Sequence, residues 1–243
     1  MGDIVGRGGR RVLREKLPEL KEEQGIDFTI VNVENSAGGF GITALIGEQI
    51  LGLGVDVMTS GNHIWDKKES LQYLDTEPRL IRPGNYPPGA PGRYRYIAES
   101  YDGIKVAVVN IQGRVFMPTI DCPFRFMEQH LPGLREQAHV VIVDLHAEAT
   151  SEKMAMGWFL DGKVTAVLGT HTHIPTADSR ILPEGTAYVT DVGMTGSYDS
   201  VIGMRVDASL NRFLTGLNTR FEPASQDPRL CGAVIDVDAV SYT

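Results

Sequence analysis

The segment GTHTHIPTAD (169–178) places His171 and His173 two residues apart after an apolar run, in a chain with six histidines. Other apolar runs lead into side chains of related chemistry. FTIVNV (28–33) runs into Glu34 and Asn35, VDVMTSG (55–61) into Asn62 and His63, and HVVIVDL (139–145) into His146. The opening GDIVG carries Asp3 among apolar neighbours. Carboxylate, amide oxygen and imidazole are the ligands of intermediate divalent metals such as Mn, Fe and Zn. No cysteine joins them, which argues against a closed structural zinc site. Two ions ~3.5–4 Å apart need a bridging carboxylate among neutral ligands, and Asp3 or Glu34 could bridge. Read as an extended segment, GTHTH sends both imidazoles to one side of the chain.

Taken one at a time, these positions have simpler explanations. A histidine at a strand end is more often a hydrogen-bonded turn residue, asparagines form turns, and Asp3 could cap or be solvated. Five segments all ending in metal-capable side chains are hard to obtain from turn chemistry alone. His130 and His139 lack that context and read as core or surface histidines. The glycine-rich AGGFG (37–41) is neither GxGxxG nor a Walker loop; it reads as a tight backbone turn behind Glu34 and Asn35. Asp144, on the same strand face as His146, and Glu148 in the following turn are candidates to orient a ligand imidazole. Arg114 could meet a phosphate, Trp65 and Tyr86 could stack a base although packing is the commoner role, and Thr170 and Thr172 read as loop-fixing.

These side chains need elements to hold them. Helices are expected over 10–23, with Pro18 a kink or break, over 42–54, over 65–76, over 150–160 with Thr150 or Ser151 as N-cap, and around NRFLTGL. Strands are expected over 28–33, 55–61, 105–113, 139–146, 163–171 and 186–193, with a last strand in GAVIDV. Residues 82–96 form a proline-rich loop. Strands first alternating with helices and then following one another closely predict a layered α/β fold with mixed sheets, whose active sites gather beyond strand carboxyl ends.

The chain has 243 residues, 42% of them hydrophobic, enough for a sizeable core in one α/β domain or two smaller ones. A net charge of −8 argues against broad binding to nucleic acid or anionic membrane. Cys122 and Cys231 lie far apart with no CxxC pair, which fits a reducing cytoplasm. No membrane span or leader is visible. Homo-oligomerisation through 114–127 is an open option.

The segments GDIVGRGGR, NVENSAGGFGIT, TSGNHIWDKKE, RPGNYPPGAPG, NIQGRVFM, DLHAEATSEK, GTHTHIPTAD and TDVGMTGSYDSVIGM resemble the calcineurin-like metallophosphoesterase superfamily, and within it the YmdB-like bacterial branch, over nearly the whole chain. The resemblance implies one domain over 1–243 with a four-layer α-β-β-α sandwich of two mixed sheets. It implies two divalent ions, Fe or Mn with Zn possible, one held by Asp3, Glu34, Asn35 and His173 and the other by Glu34, Asn62, His146 and His171. His63 would protonate the leaving oxygen. The implied activity is hydrolysis of phosphodiesters such as 2′,3′-cyclic nucleotides, with no membrane or stable nucleic-acid partner. Competing readings are a catalytically weak regulatory protein that binds nucleotide or RNA through the same site, and a phosphomonoesterase. The branch carries an apolar strand before its GD motif; here one residue precedes that glycine, so the first strand is expected truncated and Asp3 frayed.

Overall fold

The computed structural model describes residues 1–100 and 103–238. In chain order its elements are β1 (Asp3–Ile4), α1 (Gly6–Gln24), β2 (Ile30–Asn32), α2 (Ala44–Leu51), β3 (Val57–Thr59), α3 (Lys68–Thr76), β4 (Arg95–Glu99), β5 (Lys105–Gln112), α4 (Pro123–Arg135), β6 (Val140–His146), α5 (Thr150–Leu160), β7 (Ala166–Thr170), β8 (Arg180–Ile181), β9 (Ala187–Val189), β10 (Met194–Ser197), α6 (Val206–Thr215) and β11 (Pro228–Arg229). The largest sheet runs β4-β5-β6-β7-β9-β8, parallel in the middle and antiparallel at both edges. β2 and β3 form a parallel pair. β10 lies between parallel β1 and antiparallel β11.

Residue alternation decides which side chains meet. On β5 and β6, Ala107, Val109, Ile111, Val141, Val143 and Leu145 face a core shared with α4 and α5, where Met127, Leu134, Met156 and Leu160 are buried. The opposite face carries Val106, Val108, Val140, Ile142 and Ala166, packed with Val57. A third cluster joins α1 and α2 to the first strands through Leu13, Leu17, Val31, Ile50 and Met58. Along the second face the last residues turn polar. Asn110 pairs in register with Asp144, and Gln112 with His146, which in turn pairs with Thr170. Strand period therefore delivers one continuous apolar face that ends in a buried polar patch at the strand carboxyl ends.

Several boundaries differ from expectation. The first helix starts at Gly6 and passes through Pro18 without a break. Its buried Leu13 and Leu17 anchor the stretch before the proline, so packing carries the missing bond. α5 begins as expected, but its N-cap is Ala149, with no side-chain cap. α4, β4, β8, β10 and β11 are additions to the elements expected above. Met127 of the 114–127 stretch is buried in the chain's own core. Among the described residues no helix is long and apolar enough to cross a membrane.

The opening residues are ordered, against the expectation of fraying. Asp3 pairs with Met194 and is fully buried. Asn32 N–H donates to the Met1 carbonyl (3.1 Å), the Met1 ammonium to the Ile30 carbonyl (2.7 Å) and Gly2 N–H to the Cys231 carbonyl (3.1 Å). Gly9 lets α1 lie against β10, since a Cβ there would overlap the Thr195 carbonyl. Beside Met1 opens an apolar cavity of about 540 Å³, lined in part by Phe28, Ile30, Val106, Ile142 and Ile235. The expected strand in GAVIDV does not form. It flanks this cavity, without the neighbouring ladder a strand requires.

Candidate metal centre

All eight residues singled out in the sequence lie at this polar patch or on the loops above it. His146 ends β6, and its Nε2 lies 3.0 Å from Glu34 Oε1, 3.0 Å from Asn62 Oδ1 and 3.0 Å from His171 Nδ1. Glu34, His146 and His171 meet the geometry of a cation site. A second group adjoins it: His173 Nε2 is 3.3 Å from Asn35 Oδ1 and 3.8 Å from Asp3 Oδ1. His130 packs on Tyr94 and Phe126, and His139 Nδ1 faces Lys105 N–H, both away from the cluster.

Each imidazole is held by its outward nitrogen. Thr170 Oγ donates to Asp144 Oδ1 (2.7 Å), so it accepts from His146 Nδ1–H (3.0 Å). His173 Nδ1–H donates to the Ile202 carbonyl (2.8 Å). His171 Nε2 lies 3.1 Å from Glu148 Oε2. The remaining nitrogens, Nε2 of His146 and His173 and Nδ1 of His171, face inward, where each can offer a lone pair to a cation once it carries no proton. Outer partners of this type fix tautomer and orientation in metal sites. Asp144 thus acts on His146 through the Thr170 hydroxyl, and Asn32 Nδ2 holds the other Asp144 oxygen at 3.2 Å. Asn35 is oriented similarly: its Nδ2 donates to the Gly39 carbonyl (3.0 Å), which turns Oδ1 inward. AGGFG provides that turn, with Gly38, Gly39 and Gly41 all at positive φ.

The two loop histidines do not arrive by strand alternation. β7 ends at Thr170, and His171 (φ 92°) and His173 (φ 66°) adopt left-handed backbone conformations. The turn lets neighbouring imidazoles reach different halves of the cluster. A Cβ on Gly61 would overlap His146 Nε2 and Glu34 Oε2, so only glycine admits this approach.

The charges are unbalanced. Burial pushes the Asp3 carboxyl up to about 6, against the pull of His173 and His146. Burial opposes charge on both Glu34 and His146, yet their contact prevails and drives the carboxylate below and the imidazole above its usual range. Burial, then the charge on His146, lowers His171 to about 3. Asp3 Oδ1 is buried without a hydrogen-bond partner, a costly state unless something positive meets it. Inward-facing imidazole nitrogens, two buried carboxylates and an orphaned carboxylate oxygen fit divalent cations bound by N and O donors.

His63 borders the cluster and is one third exposed. Its N–H donates to Glu34 Oε2 (3.0 Å), and its Nδ1 lies 2.9 Å from Asp66 Oδ2, which leaves Nε2 open. The Phe40 ring meets it edge-on at 5.0 Å. Neither Asp66 nor Phe40 is legible as a site residue in the sequence. Asp66 stands three residues after His63, but only the turn shows that they meet. Trp65 and Tyr86 pack on each other at 4.5 Å, and the Tyr86 hydroxyl donates to Gln112 Oε1 (3.1 Å). Arg114 is exposed on a loop whose N–H groups are held by the Glu152 carboxylate.

A mixed α/β fold that gathers carboxylates, asparagines and histidines at strand carboxyl ends defines a protein with a candidate cation site, and the comparisons give its family. The chain belongs to the YmdB-like protein family, whose sequence model matches residues 1–243. It is 46% identical over 239 residues to the 2′,3′-cyclic-nucleotide 2′-phosphodiesterase of Bacillus subtilis, covering 98% of this chain and 90% of that one. The crystal structure of a hypothetical protein from Thermus thermophilus superposes with a TM-score of 0.87 at 45% identity, covering 92% of this chain and 86% of that one. A novel phosphatase from Mycoplasma pneumoniae superposes at 0.86 and 36% identity, covering 92% and 81%.

Proposed function

We propose that this protein is a metal-dependent phosphodiesterase that opens small phosphodiesters such as 2′,3′-cyclic nucleotides. The observation that carries the reading is the convergence of three outward-anchored imidazoles on two buried carboxylates. The similarity to the Bacillus subtilis enzyme supports the substrate class. We further assign residues 1–243 to one domain and read its three apolar clusters as the interiors of a four-layer sandwich.

Asp3, Asn35 and His173 would hold one divalent ion, Asn62, His146 and His171 the other, and Glu34 both. Fe or Mn suits this donor set, and Zn is compatible with it. When bound, such ions supply positive charge for the phosphoryl oxygens and ionise water near neutral pH. Glu34 presents separate oxygens to His146 and to the His63 backbone, which holds His63 beside the cluster. Asp66 would accept from His63 Nδ1–H, which leaves Nε2 as the nitrogen that gives a proton to the leaving oxygen. Water, having given up a proton, adds its oxygen to phosphorus as the bond from phosphorus to one ribose oxygen breaks, and that leaving oxygen would take the His63 Nε2 proton. Phe40 limits ring rotation by its edge-on contact. The Thr170–Asp144 relay would hold the His146 proton on Nδ1 when a cation takes Nε2.

The test pairs metal analysis with turnover. The Mn²⁺-loaded chain is expected to hydrolyse 2′,3′-cyclic AMP well above p-nitrophenyl phosphate, and His63→Gln to lose rate with metal content intact. Tight cyclic-nucleotide binding without hydrolysis, or no metal uptake, would overturn the assignment.

A further inference from the structure

Lys153 is fully buried in α5, and no step above uses it. Its Nζ donates to the Thr170 carbonyl (2.7 Å) and to Asp191 Oδ2 (2.7 Å), and the Asp191 side chain is equally buried. The same Asp191 oxygen accepts from Thr172 N–H (3.1 Å) and Thr172 Oγ (2.7 Å), while Oδ1 accepts from Gly193 N–H (2.8 Å). The pair therefore clamps Thr170 and Thr172, the two neighbours of His171, to a helix and to the 191–193 turn.

Buried ion pairs contribute little to stability on average, because desolvation offsets their attraction. This pair sits under a backbone that needs restraint. His171 and His173 hold positive φ without being glycine, which persists only where the surroundings impose it. The clamp also grips Thr170 by its carbonyl, while the Thr170 hydroxyl orients His146. Gly169 lets the Thr190 carbonyl approach, which a Cβ there would overlap, and such a Cβ would also crowd the lysine stem at 3.1 Å from Cδ.

We propose that the Lys153–Asp191 pair is a positioning device that sets the 170–173 turn and so delivers the imidazoles of both proposed metal halves together. The inference rests on the metal-binding reading above. Because each half takes one histidine from the turn, loosening the clamp weakens both ions alike. Replacing a single ligand, as in His173→Ala, would weaken its own ion far more than the other.

The experiment measures Mn²⁺ binding by electron paramagnetic resonance of the free ion, alongside thermal unfolding of the metal-free chain. The double variant Lys153→Met with Asp191→Leu strands no charge. It is expected to unfold within a few degrees of the parent, yet to bind both Mn²⁺ ions about 10- to 100-fold more weakly. Parent-like affinity in a folded double variant overturns the proposal. Should the double variant fail to fold, Thr172→Val decides: it removes one clamp bond from a half-buried loop residue. A several-fold loss at both ions supports the device, and unchanged affinity refutes it. If the parent itself takes up no Mn²⁺, the functional reading fails and takes this inference with it, whereas parent-like affinity in a folded variant fails this inference alone.

Discussion

Thr170→Val tests whether the relay behind His146 matters for metal binding. Valine matches threonine in shape, so the strand keeps its packing while one hydroxyl is lost. That hydroxyl makes two bonds of consequence, accepting from His146 Nδ1 at 3.0 Å and donating to Asp144 Oδ1 at 2.7 Å. A bond to a charged partner contributes about 1.5–3 kcal/mol. Asp144 retains Asn32 Nδ2 at 3.2 Å, so the cost to the metal-free fold should fall at the low end, about 1.5 kcal/mol. Metal affinity suffers separately. Without an acceptor behind Nδ1, the neutral imidazole that a cation needs can keep its proton on Nε2, where Glu34 Oε1 lies at 3.0 Å, instead of offering a lone pair there. Loss of such an outer partner costs about 10- to 100-fold in affinity, or about 1.4–2.7 kcal/mol. Isothermal titration with Mn²⁺ and urea unfolding of the metal-free chain give the two numbers independently. Thr170→Ser, which restores the hydroxyl, should recover most of the affinity. Unchanged Mn²⁺ affinity in Thr170→Val would show that the outward bond does not set the tautomer, and the orientation argument for His146 would fail.

Proton release offers a second check. In the metal-free chain the Glu34 contact raises His146 to about 9, and burial holds His171 near 3 and Asp3 near 6. At pH 7 His146 is then the protonated group facing the cluster, and Mn²⁺ binding should expel about one proton. Below pH 6 Asp3 adds a second, so apparent affinity falls more steeply with acidification; calorimetry in buffers of different ionisation heat measures this, and no release at pH 7 would contradict the His146 assignment. Gly61→Ala places a methyl group against His146 and Glu34 and should abolish metal uptake, which metal analysis of the folded variant would show. Asp66→Asn should lower kcat on the cyclic substrate about 10-fold while leaving Mn²⁺ affinity unchanged; equal losses in both would place Asp66 in the metal site instead.

The parts of this site legible in the sequence share one physical origin. Strand alternation is local, so NVEN, DLH and the apolar runs before them already indicate which residues lie at carboxyl ends and which share a face. Glycine clusters such as AGGFG disclose tight turns for the same reason. The order of Asp3 escapes a local reading because its restraint is remote: it pairs with Met194, and His171 N–H donates to its Oδ2 at 3.2 Å. GTHTH reads as extended because nothing in five residues reveals a left-handed backbone on two histidines. On the proposal above, that conformation is held by Lys153 and Asp191, which lie apart from GTHTH in the chain on either side.

This division says where the chemistry is vulnerable. The ligands come from short local motifs, whereas much of their alignment comes from partners elsewhere in the chain: Thr170 for His146 and the Ile202 carbonyl for His173. Each such partner fixes one donor atom through a single hydrogen bond. Two buried carboxylates at the centre repel each other unless cations separate them, and Asp3 responds to that burial with a raised pKa. Ion binding and alignment are therefore coupled. A change that tilts one imidazole leaves the carboxylates less well screened, which weakens the hold on the second ion as well. Losses from two outer partners, such as Thr170 and Lys153, should thus exceed the sum of the separate losses when metal affinity is measured, and simple additivity would mean that the two halves of the site act independently.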